Sequence, residues 1–347
     1  MTIRQHLDKL FARIEFFRKR RQYQNLVFKG GGVRGIAYLG VLDVLDEINL
    51  IPNIRRAAGS SAGAIAALLL SFRLSAQETK DLFLTLDFRK MPEVIPGEES
   101  LPFWRLAQEF GMRRFFQNYG YHSSGYFYDW AQTVIAGQCD GNRRASFREF
   151  RERGFRDLYI VASNVSRHRA EVFSHETTPD VAVADAVRMS VSIPIFFEAL
   201  RFDGQSFGQG DYYLDGGIYN NYPMNIFDHA RYASRRFAFR SGVNWETLGL
   251  FLYPEDDTDN DPDLPTNVWE FASMALRNLD HAYELSSIET NYANKYRTIA
   301  ISDKGISTTD FDIDPDDEKF QLLYQSGVDA TRKFFGLEQG SGGESSQ

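Results

Sequence analysis

Cysteine is nearly missing from this 347-residue chain, in which Cys139 stands alone. A single cysteine excludes an internal disulfide framework and a cysteine-rich zinc site. Basic excess is missing too: 39 lysines and arginines face 47 aspartates and glutamates, for a formal net charge of −8. That balance excludes a general nucleic-acid binder, which needs a broad basic surface. No uncharged run is long enough to span a bilayer. The longest apolar stretch, Ala62 to Phe72, is broken by Gly63 and Ser71 and reads as a buried helix. The N-terminus has no apolar core followed by a small-residue cleavage site, so no secretory leader is expected. A cytoplasmic protein is the expectation, peripheral to a membrane at most, although export by a signal-independent route would leave no trace. What remains is ordinary for a folded chain, with 43% hydrophobic and 25% charged residues. The length suits one large α/β domain or two modest ones.

Residues 1–22 predict an amphipathic helix. Ile3, Leu7, Leu10, Ile14 and Phe17 recur at three- and four-residue steps, and the segment ends on Arg18-Lys19-Arg20-Arg21. Two readings stand. The basic end could meet anionic lipid while the apolar stripe inserts, or the helix packs on the main domain with its cations at the helix C-terminus. The domain plan is this helix over 1–24, an α/β domain over 25–336, and a disordered Gly/Ser-rich tail over 337–347.

From Asn25 the elements alternate: a strand at Leu26–Phe28, a helix from Ile36 to Asn49, a short strand at Arg56–Ala58, then a helix rich in alanine and leucine. Further strands are expected at Leu158–Ser163, Tyr212–Leu214 and Leu248–Tyr253, with a helix from Val181 to Arg188. Alternation of this kind predicts a mainly parallel sheet with helices on both faces, an α/β three-layer sandwich. Aromatic residues crowd positions 101–130, among them Phe103, Trp104, Phe110, Phe116, Phe127 and Trp130. They predict a helical cap, inserted over about 90–150, that packs on the core and lines an acyl-chain groove or touches lipid.

Two glycine-bracketed turns carry the chemistry. Gly59-Ser60-Ser61-Ala62-Gly63 fits G-x-S-x-G, the strand-to-helix elbow that presents a serine hydroxyl. Gly30-Gly31-Gly32-Val33-Arg34-Gly35 follows a strand and opens a helix, so its backbone N–H groups are free to bind an anion. Attack of a serine on an ester puts negative charge on the former carbonyl oxygen, which needs such a loop. The serine also needs a base. Of the six histidines only His229 and His281 lie beyond Asp215, and neither sits in an obvious strand-end loop. Asp215 does follow a short strand, and Gly216 and Gly217 let the chain turn tightly after it. A partly buried carboxylate beside the hydroxyl could take its proton.

This ordered set of three motifs resembles the patatin-like phospholipases, over roughly residues 25–226. The stretch Ala184-Asp185-Ala186-Val187-Arg188-Met189-Ser190-Val191-Ser192-Ile193-Pro194-Ile195-Phe196-Phe197 is similar to the family segment before its aspartate. The resemblance implies an α/β fold related to the catalytic domain of cytosolic phospholipase A2 and a Ser–Asp dyad without histidine. By position, Ser61 is then the nucleophile and Asp215 the base. Gly31 and Gly32 form the oxyanion hole with their neighbours Gly30, Val33, Arg34 and Gly35. Arg34 either steadies that loop or meets a lipid phosphate. The implied substrate is a membrane phospholipid or lysophospholipid, with no cofactor or metal, and with a protein or small-molecule activator of the kind several members require. The acidic stretches Asp256–Asp263 and Asp310–Asp317 lack the glycine and closing glutamate of a calcium loop and are expected to be solvated.

Three alternative functions could use the same residues. An acyltransferase or a histidine-dependent esterase could use the same serine. Gly30–Gly35 also matches the dinucleotide fingerprint, but the second strand ends in Gly59-Ser60-Ser61 rather than in the acidic residue that holds a ribose. A catalytically silent lipid-binding module would have no need of intact Ser61 and Asp215.

Overall fold

In the computed structural model the described residues are 22–91, 112–235, 237–255 and 293–337. The basic helix expected at the N-terminus, residues 92–111 of the expected cap, the stretch Asp256–Asp263 and the tail beyond residue 337 lie outside them.

The first strand, β1 (Asn25–Phe28), is buried at every position and alternates between two cores. Leu26 and Phe28 join the larger apolar cluster, while Val27 joins the smaller one on the opposite face, as the two-residue period of a strand requires. A 3-10 turn over Gly32–Ile36 runs directly into α1 (Ala37–Glu47). Then come β2 (Arg56–Ser60) and α2 (Ala62–Ser71), the latter buried along its whole length. Helix α3 (Ala76–Leu84) begins with a Ser75–Glu78 capping box.

The aromatic region folds as α4 (Met112–Asn118), β3 (Gly120–His122) and α5 (Gly125–Gln138). Phe127 and Trp130 are buried in the same cluster as the sheet, so this part of the expected cap packs on the main core. Helix α6 (Phe147–Glu152) leads to the antiparallel pair β4 (Asp157–Asn164) and β5 (Arg169–Ser174). Next follow α7 (Val183–Ser190), β6 (Ile195–Phe197), β7 (Leu200–Phe202), β8 (Asp211–Leu214) and the single turn α8 (Gly217–Asn220). The small hairpin β9 (Phe239–Arg240) and β10 (Val243–Asn244) precedes β11 (Thr247–Tyr253), β12 (Thr298–Ser302) and α9 (Glu318–Phe335).

The central sheet has eight strands in the order β12-β11-β1-β2-β4-β8-β7, with β5 paired to β4 beside that path. From β12 through β4 every pairing is parallel, and β5, β7 and β8 add antiparallel ones. Helices α1, α2 and α9 contribute to the larger core. The smaller core is closed by Tyr222, Met224, Phe227 and Tyr232, from a segment with two 3-10 turns.

One arrangement positions the site. Strand β5 pairs with β4 along Tyr159–Asn164 and so occupies one edge of it. On the other edge β2 pairs with Asp157–Val161, and β8 pairs with Ser163–Asn164. Because β2 is parallel to β4 and β8 antiparallel, the two strands run toward each other along a shared edge. Ser60 stops opposite Val161 and Leu214 stops opposite Ser163. The residues that follow, Ser61 and Asp215, come out of the same gap.

Candidate active site

Ser61 is the single residue between β2 and α2. Its backbone has φ 54° and ψ −126°, a conformation that a non-glycine residue holds only where the surroundings impose it. The turn is possible because strand and helix touch backbone to backbone: a Cβ on Gly59 would lie 2.0 Å from the Gly63 carbonyl oxygen. Ser61 is also the N-cap of α2, where the aligned peptide dipoles favour negative charge.

The Ser61 hydroxyl donates to Asp215 Oδ2 at 2.6 Å, and both residues are buried, with 6% and 5% exposure. The other oxygen of Asp215 accepts from the Gly217 N–H at 2.7 Å, and the Asp215 N–H donates to the Ser192 carbonyl at 2.8 Å. The carboxylate is therefore held in one orientation. No histidine is the hydrogen-bond partner of the Ser61 hydroxyl among the described residues. His175 lies beside Arg151 and Asp157, and His229 packs edge-on toward Tyr232. His6 and His281 fall outside the described residues.

The glycine loop divides in two. The N–H of Gly30 donates to the Asn221 carbonyl, that of Val33 to the Thr308 carbonyl and that of Arg34 to the Gly31 carbonyl. The N–H groups of Gly31 and Gly32 have no acceptor among the described residues. The loop abuts the serine, since a Cβ on Gly30 would sit 3.0 Å from Ser61 Cβ. Arg34 is buried and pairs with Asp303 at 2.6 Å.

Ser190 was not singled out by the sequence. Its hydroxyl accepts from the Ser61 N–H at 2.9 Å and donates to the Val161 carbonyl at 2.6 Å. It ends α7, whose start is fixed by Asp185, fully buried and bonded to Tyr128 and Arg144. Burial raises the Asp185 carboxyl above its ordinary value in spite of both partners, and burial and Asp185 push the Tyr128 hydroxyl up to about 12. Cys139 has no part here: burial pushes its thiol up to about 11, and it sits in the core. Among the described residues no group of three or more His, Cys, Asp or Glu is placed to hold a metal. In the stretch Asp310–Asp317, Asp310 pairs with Lys319 and Asp314 with Arg89.

The sequence model of the patatin-like phospholipase family matches residues 26–228, which span the glycine loop, the elbow and Asp215. The chain belongs to the patatin-like phospholipase family. The probable lipid hydrolase 463L of Invertebrate iridescent virus 6 is 27% identical over 227 residues, which cover 63% of this chain and 68% of the relative. Protein R571 of Acanthamoeba polyphaga mimivirus is 23% identical over 90% of this chain and 93% of its own length. Among solved structures, VipD from Legionella pneumophila superposes with a TM-score of 0.55 at 20% identity, covering 91% of this chain and 67% of that one. The likeness to VipD establishes a patatin-like fold. Membership of the family supports lipid-hydrolase activity. Among the described residues of this patatin-like protein, no helix is long and apolar enough to cross a membrane.

Proposed function

We propose that the protein cleaves fatty-acyl esters of membrane phospholipids or lysophospholipids through an acyl-enzyme on Ser61. The observation that carries this reading is the 2.6 Å hydrogen bond between the Ser61 hydroxyl and Asp215, with no histidine between them. Ser61 Oγ attacks the ester carbonyl carbon as its proton passes to Asp215. Negative charge develops on the carbonyl oxygen and is met by the N–H groups of Gly31 and Gly32 and by the N-terminus of α2. Collapse of the intermediate expels the alkoxide of the deacylated lipid, a lysolipid where the substrate carried two chains, and this alkoxide takes the proton back from Asp215. Water then attacks the acyl-serine, Asp215 accepts its proton, and Ser61 leaves reprotonated with the fatty acid released. The basic amphipathic segment 1–22 would bring this site to an anionic membrane surface.

Labelling with a fluorophosphonate probe and hydrolysis of defined phospholipids, followed by mass spectrometry, test the reading. Ser61→Ala is expected to lose both labelling and hydrolysis. Asp215→Asn, folded as judged by circular dichroism, is expected to lose about 10²–10⁴ in kcat. A Ser61→Ala protein that still hydrolyses lipid would overturn the assignment.

A further inference from the structure

Beyond the family-matched residues, the segment from Ser302 to Phe311 closes against the glycine loop. Asp303 Oδ2 accepts from Arg34 Nη1 at 2.6 Å, with side-chain exposures of only 5% and 10%. Asp303 Oδ1 accepts from two backbone N–H groups, those of Glu255 and Gly305, each at 3.0 Å. Thr308 offers its carbonyl to the Val33 N–H at 3.2 Å. The packing is close enough that a Cβ on Gly32, itself at φ +58°, would lie 2.0 Å from that same oxygen.

We infer that Asp303 is a positioning residue for the oxyanion loop, acting through Arg34 on the Gly31–Gly32 peptide. The inference rests on the proposed Ser61 chemistry. Arg34 donates twice to the Gly31 carbonyl, from its backbone N at 3.3 Å and from Nε at 3.1 Å. A trans peptide is planar, so its C=O and N–H point in opposite directions. Holding the Gly31 carbonyl toward Arg34 therefore fixes the direction of the Gly32 N–H. Such a hold is needed here, because a peptide between two glycines meets little steric resistance to turning over. Arg34 on its own is a long, rotatable side chain. Asp303 gives it one place to be, and the two backbone donors on Oδ1 keep Asp303 from turning. The pairing is 269 residues long in sequence, and its acidic half lies outside the matched family region.

The full-length chain decides this with Asp303→Asn, which keeps the shape, and Asp303→Ala. Asp228→Asn serves as a control, since it breaks another buried pair, Arg297–Asp228 at 2.6 Å. Two measurements are made. One is hydrolysis of a short-chain p-nitrophenyl ester, normalised to fluorophosphonate-reactive serine. The other is amide hydrogen exchange of peptides covering residues 29–36. Both Asp303 variants are expected to lose roughly 10- to 100-fold in kcat with KM within about twofold, and to exchange faster in the loop. The Asp228 variant should melt earlier yet keep kcat per reactive serine. Wild-type kcat with unchanged loop exchange in the Asp303 variants would overturn the inference. A wild-type protein that hydrolyses no ester defeats the Ser61 chemistry instead, and loop exchange alone then decides whether Asp303 holds Arg34.

Discussion

Ser61 is held through three groups. Its hydroxyl bonds Asp215, its N–H bonds the Ser190 hydroxyl, and its carbonyl accepts from the N–H groups of Ala64 and Ile65. The middle contact is the one that opposes relaxation of the strained backbone. Ser190→Ala leaves a buried N–H without a partner, which costs about 1–3 kcal/mol, and frees the elbow to shift. Urea denaturation should show that loss, and kcat per folded protein should fall by about ten- to a hundredfold. Full activity in a destabilised variant would mean that the N–H bond serves folding alone. Ser61 and Asp215 were legible because glycines mark both turns in the sequence itself. Ser190 and Asp303 were not, since their partners lie 129 and 269 residues away. A serine before a proline and an aspartate after a strand carry no local mark of that.

Helices α1 and α9 meet backbone to backbone, and a Cβ on Gly327 would lie 1.9 Å from the Ala37 carbonyl oxygen. Since α1 grows out of the 3-10 turn that ends the glycine loop, α9 braces the element on which that loop stands. Gly327→Ala is expected to force the helices apart at a cost of about 1–3 kcal/mol, read as a lower urea midpoint with an unchanged m-value. An unchanged midpoint would mean that the crossing has slack. The parallel strands were legible because burial on both faces gives near-continuous apolar runs, as in Leu158–Ser163. Strand β5 is not legible in the same way: Arg169-Ala170-Glu171-Val172 pairs with β4 on one edge only and reads as polar alternation. Helix α9 is hidden for a similar reason, its buried Phe320, Leu323, Thr331 and Phe335 being spread among charges.

At the scale of the whole molecule, His175 is a group that ties stability to pH. Burial pushes the His175 imidazole below its ordinary 6.5; Arg151 and Arg56 act in the same sense, against Asp157 and Glu176. The native state then binds fewer protons than the unfolded chain just below pH 6.5. The stability from neutral His175 is present above that value and is lost as pH falls through the native one. The melting temperature measured between pH 7.5 and 5 should therefore fall more steeply in wild type than in His175→Gln. Equal slopes would remove His175 from the account. The fold class was legible from the alternation of elements. The gap where β2 and β8 arrive head-on was not, because it depends on which edge of β4 each strand takes. That gap has a kinetic consequence. Ser61 and Asp215 stand 154 residues apart and share no local structure, so they meet only after β4 has captured both β2 and β8 along one edge. Such non-local pairing is the slow part of folding. On the proposed chemistry, a chain still being made is chemically blank, and the pair comes into being only once the sheet is complete.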